Sequence, residues 1–304
     1  MPKNHYTFIQ ADVFTNTPFG GNQLAVFPDG RGLTTNQMQS IALEMNFSET
    51  TFVLPPETPG ASRRIRIFTP YVEMPMAGHP TVGTTYVLVE KGLVEPAPGT
   101  GEVIFDLGIG PVKVHIEQMD GGSYVWMTHR PAVFSDHVPD RDAIATALGI
   151  KSDEIRDDLP LQIVSTGVPF LMVPMKTLAA AKKSRSESAA LSRLFAGYES
   201  ASIELFTTET ELVGSLVHVR MYAPHTVGVV EDPATGSAAA PLGAYLARYG
   251  VLPGGEGRFW IEQGLEMKRP SRILVEVIRN SENIEKIRIG GQTVIVAEGE
   301  LFWD

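Results

Sequence analysis

The two halves of this chain spell out the same succession of elements. RIRIFTP, Arg64 to Pro70, matches HVRMYAP, His218 to Pro224, with Arg66 on Arg220, Phe68 on Tyr222 and Pro70 on Pro224. Further on, GHPTVGTTYVLVEKG, Gly78 to Gly92, overlays GSAAAPLGAYLARYG, Gly236 to Gly250, glycine on glycine at both ends and Leu88 on Leu246. Upstream, GGNQLAVF (Gly20 to Phe27) resembles TGVPFLMV (Thr166 to Val173), a glycine followed by a strand. Downstream, VKVHIEQMDGGSYVWM (Val112 to Met127) and ILVEVIRNSENIEKIRIGG (Ile273 to Gly291) each alternate like hairpin strands around a polar turn. Each match is short, but all four fall in the same order, and a repeated order of elements means a structural unit built twice.

The helix expected over TVGTTYVLVEKG has Val82, Tyr86 and Val89 on one face and Val87 and Leu88 on another. A helix apolar all round must be enclosed. The expected fold is therefore α+β: two pseudo-symmetric domains, each a bent, mostly antiparallel, β-barrel-like sheet around a central helix. A doubly wound parallel sheet would need regular alternation of strand and helix, which the pattern lacks. Residues 1–128 make the N-terminal half, completed by a returning strand within 292–304, and residues 129–291 make the C-terminal half. Met127 to Asp142, with its Pro, His and Asp content, reads as a connector. Ala179 to Ser200 reads as one polar, exposed helix.

A length of 304 residues fits two domains of ordinary size. The formal net charge of -10 argues against nucleic-acid or anionic-membrane partners, because like charges repel at long range. The absence of cysteine removes disulfides, thiolate nucleophiles and cysteine metal motifs. His115, His129, His137, His218 and His225 are scattered without ligand spacing, so no metal is expected. Gly108-Ile109-Gly110 precedes Pro111 and not a helix, which does not make a dinucleotide loop. No signal-peptide core or membrane-length apolar run occurs, and the expected location is cytoplasmic.

The chemistry-bearing residues gather at two expected helix starts. Pro80 suits the first helical position, where its missing N–H costs nothing. Amides around Gly78, His79 and Thr81 then offer hydrogen bonds at the positive end of the helix dipole, a seat for a carboxylate or phosphate. The second half repeats the arrangement, with Asp232-Pro233 followed by Thr235-Gly236-Ser237 and a run of small residues. Taken alone, Asp232, Thr235 and Ser237 read as helix caps, and His79 as an ordinary histidine. Their joint occurrence at matching points of both halves suggests one cleft for a small anionic substrate.

A third stretch supplies a candidate base. Thr34 and Gln37 have capping-box spacing ahead of an amphipathic helix through Met38, Ile41, Ala42 and Met45 that stops near Asn46. Glu49 follows in the NFSET link, flanked by Phe47 and Phe52, and a carboxylate at an apolar junction is suited to general acid/base work.

Together FGGNQLAVFPDG, NFSETTFV, FTPYVEMPMAGHPTVGT and EDPATGSAA resemble the PhzF-like isomerases of phenazine biosynthesis, within the diaminopimelate-epimerase-like fold, over nearly the whole chain. The resemblance implies that Glu49 is the acid/base, that His79 and Asp232 belong to the catalytic set, and that Gly78, Gly236 and Ser237 bind substrate. It implies a cofactor-free isomerisation in which one carboxylate moves a proton along an unsaturated cyclic amino acid, by a chain that works as a homodimer. Gln23 stands where the family usually has proline. The lack of cysteine separates the chain from the epimerases that use two thiols. A non-catalytic carboxylate binder would have no use for a base. A racemase or hydrolase of amino-acid derivatives would need a second base or a nucleophile.

Overall fold

The N-terminal strand β1 (Asn4–Val13) pairs antiparallel with β2 (Asn22–Phe27), Val13 opposite Asn22. These elements belong to a computed structural model that describes residues 4–186, 188–198, 200, 202–223, 230–280 and 283–303; Pro224 and His225 lie outside them. The chain forms two units, residues 1–127 with 290–304 and residues 128–289.

In the first unit, α1 (Thr35–Met45) leads to β3 (Glu49–Leu54), which runs parallel to β2 with Leu24 opposite Glu49. The helix has the expected capping box, in which Thr34 Oγ1 accepts from the Gln37 N–H and the Gln37 carboxamide oxygen accepts from the Thr34 N–H. It ends at Asn46, whose φ of 52° lies in the left-handed region that asparagine tolerates. Strand β4 (Arg63–Phe68) is antiparallel to β3 and turns into the short β5 (Glu73–Met74), after which α2 (Gly78–Glu90) begins. Strand β6 (Glu102–Leu107) lies parallel to β4, and β7 (Gly110–Met119) and β8 (Gly122–Thr128) continue antiparallel.

The second unit repeats this plan. It contains β9 (Val133–Ser135), α3 (Arg141–Leu148), β10 (Gln162–Ser165) and β11 (Pro169–Pro174), then α4 (Leu178–Lys183), α5 (Ser188–Leu194), β12 (Ile203–Thr207) and β13 (Ser215–Tyr222). It continues with β14 (Glu231–Asp232), α6 (Gly236–Arg248), β15 (Gly257–Gln263), β16 (Ser271–Asn280) and β17 (Asn283–Gly291). As in the first unit, two antiparallel strands are followed by a parallel neighbour, an antiparallel one, a two-residue strand and the central helix: β10 with β11, β11 with β12, β12 with β13, β13 with β14. Strand β15 is then parallel to β13 and antiparallel to β16. The last strand, β18 (Thr293–Trp303), returns to the first unit and pairs along β1.

Both central helices have 13 residues and start at the same spacing from the two-residue strand before them. Each is enclosed. In α2 the residues from Gly78 to Thr85, with Val87 and Leu88, are buried; in α6 those from Ala238 to Ala247 are. A Cβ on Gly83 would come within 2.5 Å of Val13 Cγ2 and 2.7 Å of Leu24 Cδ2, which shows how closely the α2 backbone lies against its sheet.

A matched ion pair holds each hairpin that precedes a central helix. Arg66 donates through Nε and Nη2 to Glu73, both at 2.7 Å, and Arg220 donates likewise to Glu231 at 2.8 and 2.9 Å. Each guanidinium also lies over the aromatic ring two residues on, Phe68 at 5.1 Å and Tyr222 at 5.2 Å. Fork-to-fork pairing of this kind fixes orientation as well as adding energy.

Three expectations need correction. Pro80 is the third residue of α2, because the helix begins at Gly78; its missing N–H is still among the four that lack an intrahelical partner. Ala179 to Ser200 is two short helices, and Ala180, Ala181, Leu191 and Phe195 are core residues packed with Ile144 and Leu148 of α3. The chain breaks at Ser184, whose hydroxyl donates to Ala181 O and whose carbonyl accepts from Arg220. The presumed connector contains β9, which pairs with β10. No helix among the described residues is long and apolar enough to cross a membrane.

Candidate active site

In the first unit Glu49 meets His79. Strand β3 starts at Glu49 and α2 starts at Gly78, and these ends lie so that Glu49 Oε2 is 3.3 Å from His79 Nε2. The glutamate is 17% exposed and the histidine 5%. On the other side of the ring, Asn22 Nδ2 is 3.3 Å from His79 Nδ1. Burial pushes the imidazole down to about 3, and a backbone hydrogen bond with Gln23 opposes this only in part. The ring is thus neutral at ordinary pH. With an amide N–H of Asn22 donated to Nδ1, its single proton sits on Nε2, the nitrogen nearer the Glu49 carboxyl, without completing a hydrogen bond to it.

Strand alternation corrects the expected surroundings of Glu49. Phe52 lies on the opposite face of β3, stacked 4.9 Å from Phe27 in a separate core with α1. Glu49 shares its face with Thr51, whose hydroxyl meets Thr84 of α2 at 2.8 Å. The carboxyl is therefore held against the central helix and not among phenylalanines.

Asn22, in the Gly20-Gly21-Asn22 run, meets His79 from 57 positions away, a contact that no local sequence pattern marks. Gly21 has a φ of 61° and a Cβ there would sit 2.3 Å from Val13 O, so only glycine allows the chain to enter β2 at this point. Buried Asp12 secures the same loop by accepting the Phe19 N–H at 2.7 Å. Gln23 touches His79 through its backbone, the part of the residue that its side-chain identity affects least.

In the second unit Asp232 ends β14, and Gly236 and Ser237 open α6. The reading of Thr235 as a cap does not hold: the helix makes no side-chain cap bond. Gln263 Nε2 donates to Thr235 Oγ1 at 3.0 Å, and Thr235 Oγ1 donates to Asp232 Oδ2 at 2.6 Å. Gln263 also accepts the Thr235 N–H at 3.1 Å and donates to Asp232 O at 2.8 Å. Gln263, not marked by any sequence pattern, thus locks the turn that carries Asp232. The start of α2 at Ala77 likewise has no side-chain cap. Both helices open with first-turn amides that no capping side chain occupies, the property expected of an anion seat.

His218 is not an isolated histidine. The parallel register of β13 and β15 sets it opposite Glu262, and its Nδ1 and Nε2 lie 2.8 Å from Glu262 Oε1 and 3.0 Å from Glu266 Oε1. Glu262 also accepts the N–H groups of Glu211 and Leu212, both at 2.7 Å. Burial alone would lower the histidine, but hydrogen bonds and charge from both glutamates outweigh it and raise it to about 9. A group raised on folding contributes stability that is complete below its unfolded value of about 6.5 and disappears as pH rises through the folded value. Thermal unfolding should therefore show stability falling between about pH 6.5 and pH 9, by at most about 3 kcal/mol. His218→Gln should flatten that slope, and an unchanged slope in the variant would assign it to other groups.

Two sheet-wrapped helices, each opening beside a carboxyl group, make up the diaminopimelate-epimerase-like fold, and the named relatives of the chain make it an isomerase. More narrowly, the chain belongs to the PhzC-PhzF family of phenazine biosynthesis-like proteins, whose profile matches residues 11–299. An uncharacterized isomerase of Mesorhizobium japonicum is 40% identical over 301 residues, covering 97% of this chain and 98% of that one. The trans-2,3-dihydro-3-hydroxyanthranilate isomerase of Pseudomonas aeruginosa is 32% identical over 297 residues, covering 98% and 99%. The crystal structure of the PhzF-family phenazine biosynthesis protein of Bacillus anthracis superposes with a TM-score of 0.91 at 31% identity, over 99% and 100% of the two chains.

Proposed function

We propose that this isomerase moves a proton between carbons of a small unsaturated cyclic amino carboxylate, with Glu49 as the general acid/base and without a cofactor. The contact between Glu49 and His79 carries the reading. A carboxylate beside an uncharged imidazole is not neutralised by it and remains a base, and Asn22 positions that ring.

In the first step Glu49 takes a proton from an sp³ carbon, and the electron pair left behind spreads into the adjacent unsaturation. In the second the same carboxylic acid returns that proton to another carbon of the conjugated system, and Glu49 is a carboxylate again. A single base serves both steps when the two carbons present the same face. His79 stays beside the carboxyl throughout, and Gly78 offers the amides that open α2 to the substrate carboxylate. In the second unit Asp232, Gly236 and Ser237, around the start of α6, are the groups for substrate binding, Asp232 suiting an amino group. The trans-2,3-dihydro-3-hydroxyanthranilate isomerase relative names the first compound to try.

The test is incubation of the protein in deuterated water with trans-2,3-dihydro-3-hydroxyanthranilate and related unsaturated amino acids, followed by NMR. Turnover with deuterium appearing on carbon is the expected result. The absence of both turnover and carbon-bound exchange for the whole set would overturn the assignment.

A further inference from the structure

We propose that Glu204 is a positioning residue for Asp232: a buried, uncharged carboxylic acid that shares one negative charge with Asp232 and keeps that charge on Asp232. The inference rests on the role given to Asp232 above.

Register sets the geometry. Met172 of β11, Glu204 of β12, Met221 of β13 and Asp232 of β14 are successive partners in one row across the sheet. Residues opposite one another project to the same face, and strands about 4.8 Å apart put the Glu204 and Asp232 backbones roughly 10 Å apart, within reach of each other's charge. Ile203 and Leu205 point the other way, into the core formed with α3, α4 and α5. Glu204 lies on the face of Phe206, which packs edge-on against Tyr245 of α6 at 5.5 Å.

Among the described residues, no countercharge stands in this row beside Glu204. Its row neighbours are two methionines, and Arg220, one residue from Met221, is on the opposite face and bound to Glu231. Glu204 is 0% exposed, and neither carboxyl oxygen has a hydrogen-bond partner among the described residues. Asp232, by contrast, accepts the Thr235 hydroxyl at 2.6 Å. Of two carboxyls that repel each other's ionisation, the one with a donor keeps the charge and the other keeps its proton. Burial first, and then the charge of Asp232, push Glu204 well above the ordinary glutamate range.

The duplicated unit shows how the same position is filled where no acid pair is built. By the register of β3 with β4 and β4 with β5, Thr51 corresponds to Glu204 and Met74 to Asp232. Thr51 is paired with Thr84 of the central helix. The second unit has instead an acid without a hydrogen-bond partner among the described residues beside an acid with one, an arrangement that burial makes costly. An arrangement that costs stability and serves no packing purpose fits a role in setting the charge at Asp232.

The experiment is a ¹³C-carboxyl NMR titration of the full chain, with the Glu204 resonance assigned by Glu204→Gln. The Glu204 carboxyl should be protonated at pH 7, and Asp232→Asn should make it ionise at lower pH, changing the ionisation constant by about tenfold. A resonance already ionised at pH 7, or unmoved by Asp232→Asn, would overturn the proposal. In parallel, wild-type kcat/KM for the proton shift should fall at the alkaline pH where this resonance titrates, and Glu204→Gln should remove that limb. An alkaline limb that persists in Glu204→Gln would also overturn it. A wild type with no turnover would count against the isomerase role of the site, while the titration would still decide whether the two carboxyls share one charge.

Discussion

Replacing Glu49 with glutamine should reduce kcat for the proton shift by about 10²- to 10⁴-fold, the usual contribution of a positioned acid/base. Glutamine keeps the length of the side chain and an oxygen that can face His79 Nε2, so the loss reads the missing basicity and not a collapsed pocket. Glu49→Asp keeps the charge but withdraws the carboxyl by one methylene, and displacement of about 1 Å costs on the order of 10²-fold. The two variants separate having a base from having it in place. Because burial moves His79 to about 3, no step near pH 6.5 from this imidazole should appear in the pH profile of either wild type or Glu49→Asp. Carbon-bound deuterium exchange at the wild-type rate in Glu49→Gln would remove Glu49 from the mechanism, whatever its distance from His79.

The parts of this arrangement that were legible in the sequence are those coded by neighbours in the chain. The capping box at Thr34 and Gln37 and the stop at Asn46 each follow from residues a few positions apart, and both are present. The duplication was legible because Arg66 and Arg220, or Gly78 and Gly236, serve the same purpose in both units. What escaped depends on strand register between distant segments. His218 looked isolated because Glu262 is 44 positions away and meets it only through the parallel pairing of β13 with β15. Phe52 appeared to flank Glu49 because sequence proximity does not reveal that three positions along a strand reverse the face. The exposed helix expected over Ala179 to Ser200 failed for a related reason. Its polar composition hid the alanines of α4, the leucine of α5 and the phenylalanine just after it that are packed in the core, and the break at Ser184 is stabilised by Arg220 from a distant strand.

That arginine supports the second large effect. Arg220→Met should lower stability by about 3–5 kcal/mol, and its twin Arg66→Met by only about 1–2 kcal/mol, each read from urea denaturation followed by circular dichroism. Both side chains clamp a glutamate on the following two-residue strand and cover an aromatic ring, so the shared motif alone predicts equal losses. Their remaining partners differ. Arg66 is 15% exposed and adds the Thr35 hydroxyl at 3.0 Å and the Met38 sulfur at 3.5 Å. Arg220 is 3% exposed, and its Nη1 donates to the carbonyls of Ala181, Lys182 and Ser184 at 2.9 to 3.1 Å, closing the C-terminal end of α4. Methionine in place of Arg220 leaves those carbonyls without their donor in a dry interior and strands Glu231, whereas water reaches more readily into the position of Arg66. Because Glu231 precedes Asp232, the Arg220 variant should also lose kcat at temperatures where it remains folded. Equal destabilisation of the two variants would show that the paired glutamates, and not the carbonyl cluster, account for most of what these arginines contribute.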